Sequence, residues 1–315
     1  MAQTQRLGKY GGNAFLRSFR GYVKYSALTF MFIPLLAYYI LFHYVPIYGI
    51  LIAFKDYSIT KGIIGSQWVG FQVFEQLFNT PTFTRAFRNT IIISLLRYVT
   101  GFPAPIILSL MLNELKNLKF KKVMQTISYL PHFLSWVILA GLFTQLLSPT
   151  NGAVNYIITL FGGKPKYFLG DNAYFRGTLV VTGIWKEIGW GTIVYLATIA
   201  GIDQEMYEAA DCDGATRFRK IWSITLPMMK PTIVILAIMN CGSLMSAGFD
   251  QIFNLYNSAV YETGDILDTY VYRVGIGNMD YSSSTAVGLF KNVIGFILVT
   301  GTNFLAKKLG EEGLW

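Results

Sequence analysis

Hydrophobic residues in this chain gather in long runs separated by short polar stretches, and neither an alternating pattern nor a one-faced helical pattern dominates. Six runs, at 28–50, 89–112, 124–147, 177–202, 232–249 and 284–306, are each about 20 residues long, enough to cross a hydrocarbon layer of roughly 30 Å. The pattern predicts an all-α membrane protein with six transmembrane helices. Pro46, Pro103, Pro105 and Pro131 blur the limits of these runs, as do aromatic residues suited to the membrane interface. The first run follows a basic stretch, as a secretory signal would, but it is too long for a signal core and no small-residue cleavage site follows it. It reads as a retained first helix, with Tyr38, Tyr39, Phe42 and Tyr44 forming an interfacial belt where it leaves the membrane.

Composition agrees. Of 315 residues, 53% are hydrophobic and 14% charged, too little polar surface to cover a water-soluble globule of this size. Charge sets the orientation, because loops on the cytoplasmic side carry the excess of Lys and Arg. Fifteen basic residues fall on one side: Arg6, Lys9, Arg17, Arg20 and Lys24 before the first run, Lys116 to Lys122 between runs two and three, Arg217 to Lys230 between four and five, and Lys307 and Lys308 at the end. Eight fall on the other, so both termini are expected in the cytoplasm. The net charge of +9 is distributed by membrane side, not gathered on one face among stacking aromatics, which argues against a nucleic-acid partner. Cys212, in a cytoplasmic loop, and Cys241, within run five, are placed too far apart to pair.

No soluble domain is expected: 1–27 reads as a basic cytoplasmic segment, 28–306 as the membrane domain, and 307–315 as a cytoplasmic tail. No internal repeat is visible. Segment 148–163 carries a short apolar run from Ala153 to Phe161 that suits a helix lying along the outer surface. Gly288, Gly295 and Thr302 recur every seven residues, a stripe that lets another helix approach closely, and glycines 183, 189, 191, 242 and 248 suit the same use. Pro103 and Pro105 should bend the second span.

The cytoplasmic segment 203–230 has the most specific sequence. It reads as two short helices meeting at Gly214. Asp203 can cap the first, Glu205 suits its positive end, and Gly214 supplies the left-handed residue that commonly ends a helix. The second is basic at Arg217, Arg219 and Lys220 and is expected to stop by Pro227. Ile202, Met206, Ala209 and Ala210 give the first helix an apolar side outside the membrane. Either the protein's own helices or another protein could cover it.

Glu208-Ala209-Ala210, then Gly214, then Ile224, Leu226 and Pro227 match, in identity and spacing, the EAA signature of ATP-binding-cassette importer permeases. Gly70-Phe71, Gly101-Phe102-Pro103-Ala104-Pro105, Ser128-Tyr129-Leu130-Pro131-His132-Phe133, Trp185-Lys186, Gly201-Ile202-Asp203 and Gly313-Leu314-Trp315 extend the likeness over nearly the whole chain. The sequence thus resembles the LplB-type poly- and oligosaccharide permeases. The resemblance implies a MetI-like core of five helices preceded by one extra helix, in a bacterial plasma membrane. It implies a homologous second permease, two ATPase subunits that bind ATP and Mg, an extracellular lipid-anchored or periplasmic substrate-binding protein, and an oligosaccharide cargo. Glu208, Ala209, Ala210, Gly214, Ile224, Leu226 and Pro227 would then form the coupling element seated in the ATPase. No cofactor is implied for this chain.

Arg97, Lys186, Glu187 and Lys291 lie within spans, where each costs about 2.5 to 3.5 kcal/mol on the insertion scale and needs a partner or water. A polar vestibule open to the outside would take all four, with Asp250 at its rim. Ser243, Ser246 and Asp250 would share one face of span five, and Lys186, Glu187 and Trp190 one face of span four. Together with Lys291 these are the candidate substrate-path residues, and an excess of cations there would favour an anionic, uronate-containing sugar. Alternatively Lys186 pairs with Glu187 or Asp250 for structure, and Arg97 and Lys291 snorkel outward. His43 and His132 lack any metal-ligand spacing and suit packing or a backbone hydrogen bond.

Two rivals are weighed against an importer permease. An ion-coupled carrier or channel for a small polar solute would also use embedded charges, but carriers usually show inverted repeats. An intramembrane enzyme would need paired carboxylates, a metal cluster or a Ser/His pair, and none is evident. No Gly-x-x-x-x-Gly-Lys-Ser/Thr phosphate loop occurs, so ATP must be hydrolysed by another polypeptide.

Overall fold

A computed structural model describes residues 25–310, 313 and 314. The basic stretch from Arg6 to Lys24 lies outside the described residues. The chain divides into two units, one ending at Ile52 and the other starting at Ala53. In the first, α1 (Ser26–Tyr39) runs into a π-helical turn, Ile40–Tyr44, and then a 3-10 helix, Val45–Phe54, whose last two residues begin the second unit. Of the expected belt residues, Tyr38 packs against both Tyr39 and Phe42.

The second unit is helical apart from a two-stranded antiparallel ribbon, Lys55–Asp56 with Gln67–Trp68. Its helices include α2 (Gln72–Phe78), α3 (Pro81–Gly101), α4 (Pro103–Asn113), α5 (Leu118–Tyr129), α6 (Trp136–Leu146), α7 (Ala153–Leu160), α8 (Asn172–Ala200), α9 (Gln204–Cys212), α10 (Arg217–Lys220), α11 (Leu226–Gly242), α12 (Phe249–Leu255), α13 (Leu267–Tyr272) and α14 (Tyr281–Lys308), besides the single turns Gly62–Gly65 and Tyr261–Gly264.

Among the described residues, four helical stretches are long and apolar enough to cross a membrane: Ser26–Phe54, Pro81–Asn113, Arg217–Leu255 and Tyr281–Lys308. A fifth arises if Leu118–Phe133 and Trp136–Leu146, bent by 104°, make one broken span. The third apolar run is therefore not one straight helix. Leu130–Phe133 tightens into a 3-10 turn around Pro131, Leu134 is extended, and Ser135 starts α6 afresh by accepting the Ile138 N–H. The fourth run lies in α8, which is long enough but less apolar, with Lys186 and Glu187 at its middle. Its shelter comes from protein: α8 packs against α3, α4 and α5 and buries Phe175, Leu179, Thr182, Gly183, Tyr195 and Ile199.

Glycines set the closest approaches. A Cβ on Gly189 would lie 2.0 Å from the Ser128 carbonyl oxygen, so α8 and α5 touch backbone to backbone. A Cβ on Gly242 would lie 2.7 Å from Val299, and one on Gly295 3.3 Å from the Gly242 carbonyl oxygen, which brings α11 against α14. Gly288 has open space where a Cβ would be, so only Gly295 of that stripe's glycines marks a contact.

Arg85 and Arg88, two of the eight basic residues counted on the outer side, belong to the first turns of α3. Buried Asp265 accepts two hydrogen bonds from Arg273, at 2.7 and 3.0 Å, and lies 3.5 Å from Arg85. Hydrogen bonding to Asp265 outweighs desolvation and holds the Arg273 guanidinium above its ordinary pKa. Arg176 donates to Asn89 and to the Thr263 carbonyl, and Arg88 pairs with Glu262. These ties close the segments that the sequence assigns to the outer side into one knot.

A candidate translocation cavity and coupling loop

The site is built on a break in the fifth apolar run. α11 ends at Gly242; Ser243 and a short 3-10 turn, Leu244–Ser246, follow, and then Ala247 and Gly248 turn left-handed at φ 46° and 82° before α12 begins. That reversal turns the Ala247 carbonyl towards α3, where Arg97 Nη1 donates to it at 2.9 Å. Ser94, one turn earlier, donates to the Leu244 carbonyl. A Cβ on Gly248 would fall 1.7 Å from Arg97 Nη1, so only glycine lets the guanidinium lie there.

A cavity of about 550 Å³ opens beside this break, between α3, α4, α8 and α11. Arg97, Glu187, Trp190, Asn240, Ser243 and Ser246 supply polar groups to its lining, and Tyr98, Phe102 and Tyr195 aromatic ones. Its α8 wall is fixed from behind by the 3-10 turn at His132. His132 Nδ1 lies 2.8 Å from Glu187 Oε2, its ring stacks on Trp190 at 4.4 Å and 2°, and Lys186 Nζ donates to the His132 carbonyl at 2.6 Å. Lys186 Nζ is also 3.6 Å from Glu187 Oε1. Glu187 is thus met by two neighbours, while no carboxylate of the described residues lies within ion-pair distance of Arg97.

The vestibule expected to hold every buried charge is smaller than that. It gathers Arg97 and Glu187, with Trp190, Ser243 and Ser246. Lys186 is buried behind the wall, holding the carbonyl freed where α5 gives way to α6. Lys291 makes a close pair with Asp268 and does not line the cavity. Asp250 is exposed in the first turn of α12, also away from it. The shared face of Ser243, Ser246 and Asp250 fails because a helical spacing presumes a continuous helix, and two left-handed residues intervene. Two contributors carry no local signal: His132 meets a partner 55 residues away, and buried Gln251 in α12 hydrogen-bonds to α8. Arg97 turns into the bundle, as the vestibule reading has it, and does not snorkel outward.

The coupling segment folds largely as its sequence implies. Asp203 Oδ1 accepts the Glu205 N–H at 3.0 Å and caps α9. At the other end Gly214 has φ 71°, its N–H donates to Asp211 O at 3.0 Å, and Ala215 N–H reaches back to Ala210 O at 2.9 Å. This pair of bonds is a Schellman ending with glycine at the left-handed position. Lys220 Nζ to Asp211 at 2.7 Å and Tyr207 to Thr225 at 2.9 Å fasten α9 to the helix that follows. That helix does not stop at Pro227. Ile221–Thr225 widens into a π turn, which makes room for the ring, and Pro227 lies in the first turn of α11. Glu208, Ala209 and Gly214 are exposed, Ala210, Ile224 and Leu226 half-buried, and Pro227 exposed. Met206 and Ala209 of the apolar side stand exposed, as do Phe218 and Trp222 of the helix that follows, whereas Ile202 is buried and Ala210 half-buried, so this chain covers that side only in part.

Residues 101–310 match the family described as binding-protein-dependent transport system inner membrane component. The chain belongs to this family of membrane permease subunits, as the EAA resemblance implied. Among its relatives, Protein LplB of Bacillus subtilis (strain 168) is 46% identical over 91% of both chains. The polygalacturonan/rhamnogalacturonan transport system permease protein YteP of the same organism is 45% identical over 93% of this chain and 91% of its own. A crystal structure of a bacterial ABC transporter involved in the import of the acidic polysaccharide alginate superposes with a TM-score of 0.87 and 39% identity, covering 93% of this chain and 99% of that one. A second alginate transporter structure, in complex with an alginate pentasaccharide-bound periplasmic protein, gives 0.88 and 38% over 95% and 100%.

Proposed function

We propose that this chain is one of two membrane subunits of an ATP-driven importer of acidic oligosaccharides, working with a homologous permease, two ATPase subunits and an extracellular substrate-binding protein. Six crossings with both termini cytoplasmic fit the charge distribution, α8 serving as the crossing sheltered by its neighbours. The 203–230 segment docks on the ATPase through α9 and the exposed Met206, Phe218 and Trp222, where burying apolar area would contribute roughly 25 cal/mol per Å². ATP and Mg belong to those ATPase subunits.

One observation carries the cargo assignment: the cavity holds a cation, Arg97, with no carboxylate within ion-pair distance among the described residues, and Glu187, which attracts it from the same lining, is met more closely by Lys186 and His132. A carboxylated sugar would supply a close counter-charge, in a low-dielectric setting that strengthens the attraction. The polygalacturonan/rhamnogalacturonan and alginate transporters point the same way. Trp190 offers a flat apolar face for a sugar ring.

The test is uptake by the complete complex in proteoliposomes with its binding protein. Trigalacturonate or an alginate trisaccharide should be taken up in preference to maltotriose. Equal uptake of acidic and neutral trisaccharides would refute the charge argument.

A further inference from the structure

The turn that follows α5 meets two residues of the cavity wall. The His132 and Trp190 rings are parallel to within 2°, with centroids 4.4 Å apart. Phe133 stands edge-on to both, its centroid 5.7 Å from His132 and 5.8 Å from Trp190. Those nearly equal distances put Phe133 beside the stack, because a ring on the far face of the indole would lie much farther from the imidazole. One face of Trp190 is covered, and among the described residues no third ring packs on the other. Trp190 lines the cavity and His132 does not, so the uncovered face is the one that meets the cavity.

The same imidazole holds the neighbouring acid. Its Nδ1 lies 2.8 Å from Glu187 Oε2, and since a carboxylate only accepts, Nδ1 carries the hydrogen. Two backbone ties keep His132 in place: Lys186 Nζ donates to its carbonyl at 2.6 Å, and Gly189 lets α8 press on the Ser128 carbonyl one turn earlier. Glu187 and Trp190 are three residues apart on α8 and share a face. Trp190 is 46% exposed and Glu187 half-buried, so a solute in the cavity can reach both.

We propose that His132 is a positioning residue for sugar passage, setting the plane of Trp190 through its ring and the carboxylate of Glu187 through Nδ1, a reading that rests on the cavity being the sugar path. The C–H face of a pyranose gains by leaving water against a flat ring, and the open indole face offers one. Glu187, an acceptor only, takes hydroxyl hydrogens at the rim of that sugar ring. It repels a carboxylate, which turns the uronate group towards Arg97 on α3. His132 touches no sugar; it acts by holding indole and carboxylate in one fixed arrangement, so that neither has to be ordered when the sugar arrives.

The test separates the two contacts in the complete complex in proteoliposomes, with whichever of trigalacturonate, alginate trisaccharide and maltotriose the wild type takes up best. His132→Ala removes both contacts and should lower uptake at saturating loaded binding protein about tenfold, the scale of one ring pair and one charge-assisted hydrogen bond. His132→Phe keeps a ring on the indole and His132→Asn keeps an N–H donor for Glu187, so each should recover part of the loss and stay within about threefold of wild type. In a Trp190→Ala background, His132→Ala should cost at most about threefold more, because residues that act through one another are not additive. Wild-type uptake in His132→Ala overturns the proposal, as does a full tenfold loss on top of Trp190→Ala. A melting temperature that falls in step with uptake across the three His132 variants overturns it too, by giving His132 a packing role alone. If His132→Ala fails to assemble, His132→Phe and His132→Asn decide, and wild-type uptake in both overturns the proposal. Failure of the wild type to take up any of the three sugars would overturn the importer reading, and this proposal with it.

Discussion

Gly214 offers the sharpest test of coupling, because its backbone and its surroundings make separate demands. Its φ of 71° is strained for any residue with a Cβ, at about 1 kcal/mol for alanine and about 2 for a β-branched residue. Nothing lies within 4 Å of where that Cβ would stand, so no clash adds to the strain. A penalty of 1 to 2 kcal/mol corresponds to a factor of roughly 5 to 30 in the population of the native turn. Gly214→Ala should therefore weaken coupling moderately, and Gly214→Val strongly. Gly214→Asn, tolerated in the left-handed region, should stay near wild type unless the docking cleft has no room for a side chain. Gly214→Asp shares that backbone tolerance but adds a charge, so uncoupling by Asp and not by Asn would assign the effect to the cleft. The assay is sugar transported per ATP hydrolysed by the reconstituted complex, with membrane insertion checked separately. Wild-type coupling in Gly214→Val would refute the claim that this left-handed turn holds the docking element.

Two further substitutions test the packing. Gly189→Ala places a Cβ against backbone at Ser128 that cannot yield, so α8 and α5 must separate at a cost of about 3 kcal/mol; an unchanged melting temperature in detergent would contradict that contact. Lys291→Met leaves Asp268 half-buried and unpaired and should destabilise by about 1 to 3 kcal/mol, with Lys291→Met/Asp268→Leu recovering much of the loss. Cargo preference should be the same in both variants, whereas a shift towards neutral sugars would return Lys291 to the substrate path.

The coupling segment was legible because its determinants are local. A cap at Asp203, a left-handed glycine at 214 and an apolar side through Met206 act within a few residues, so spacing carries the geometry. The element was missed only at Pro227, where a π turn lets the helix run on. The cavity was half legible. Glu187, Trp190, Ser243 and Ser246 were identified as candidates, but the helical face meant to join Ser243, Ser246 and Asp250 is interrupted by Ala247 and Gly248. Arg97, Lys186 and Lys291 look alike along the chain, each one cation in an apolar run. The fold gives them different tasks: one faces the cavity, one holds a backbone carbonyl, and one closes an ion pair.

The sequence by itself determined the apolar runs and the capped, glycine-ended motif of 203–230, since lipid solvation and short-range backbone chemistry act on contiguous residues. Only the tertiary structure decided which cation of the spans is left without a carboxylate at ion-pair distance and where the spans break. Those outcomes depend on partners 55 to 150 residues away, such as His132 for Glu187 and Ala247 for Arg97, and no local pattern encodes such a distance.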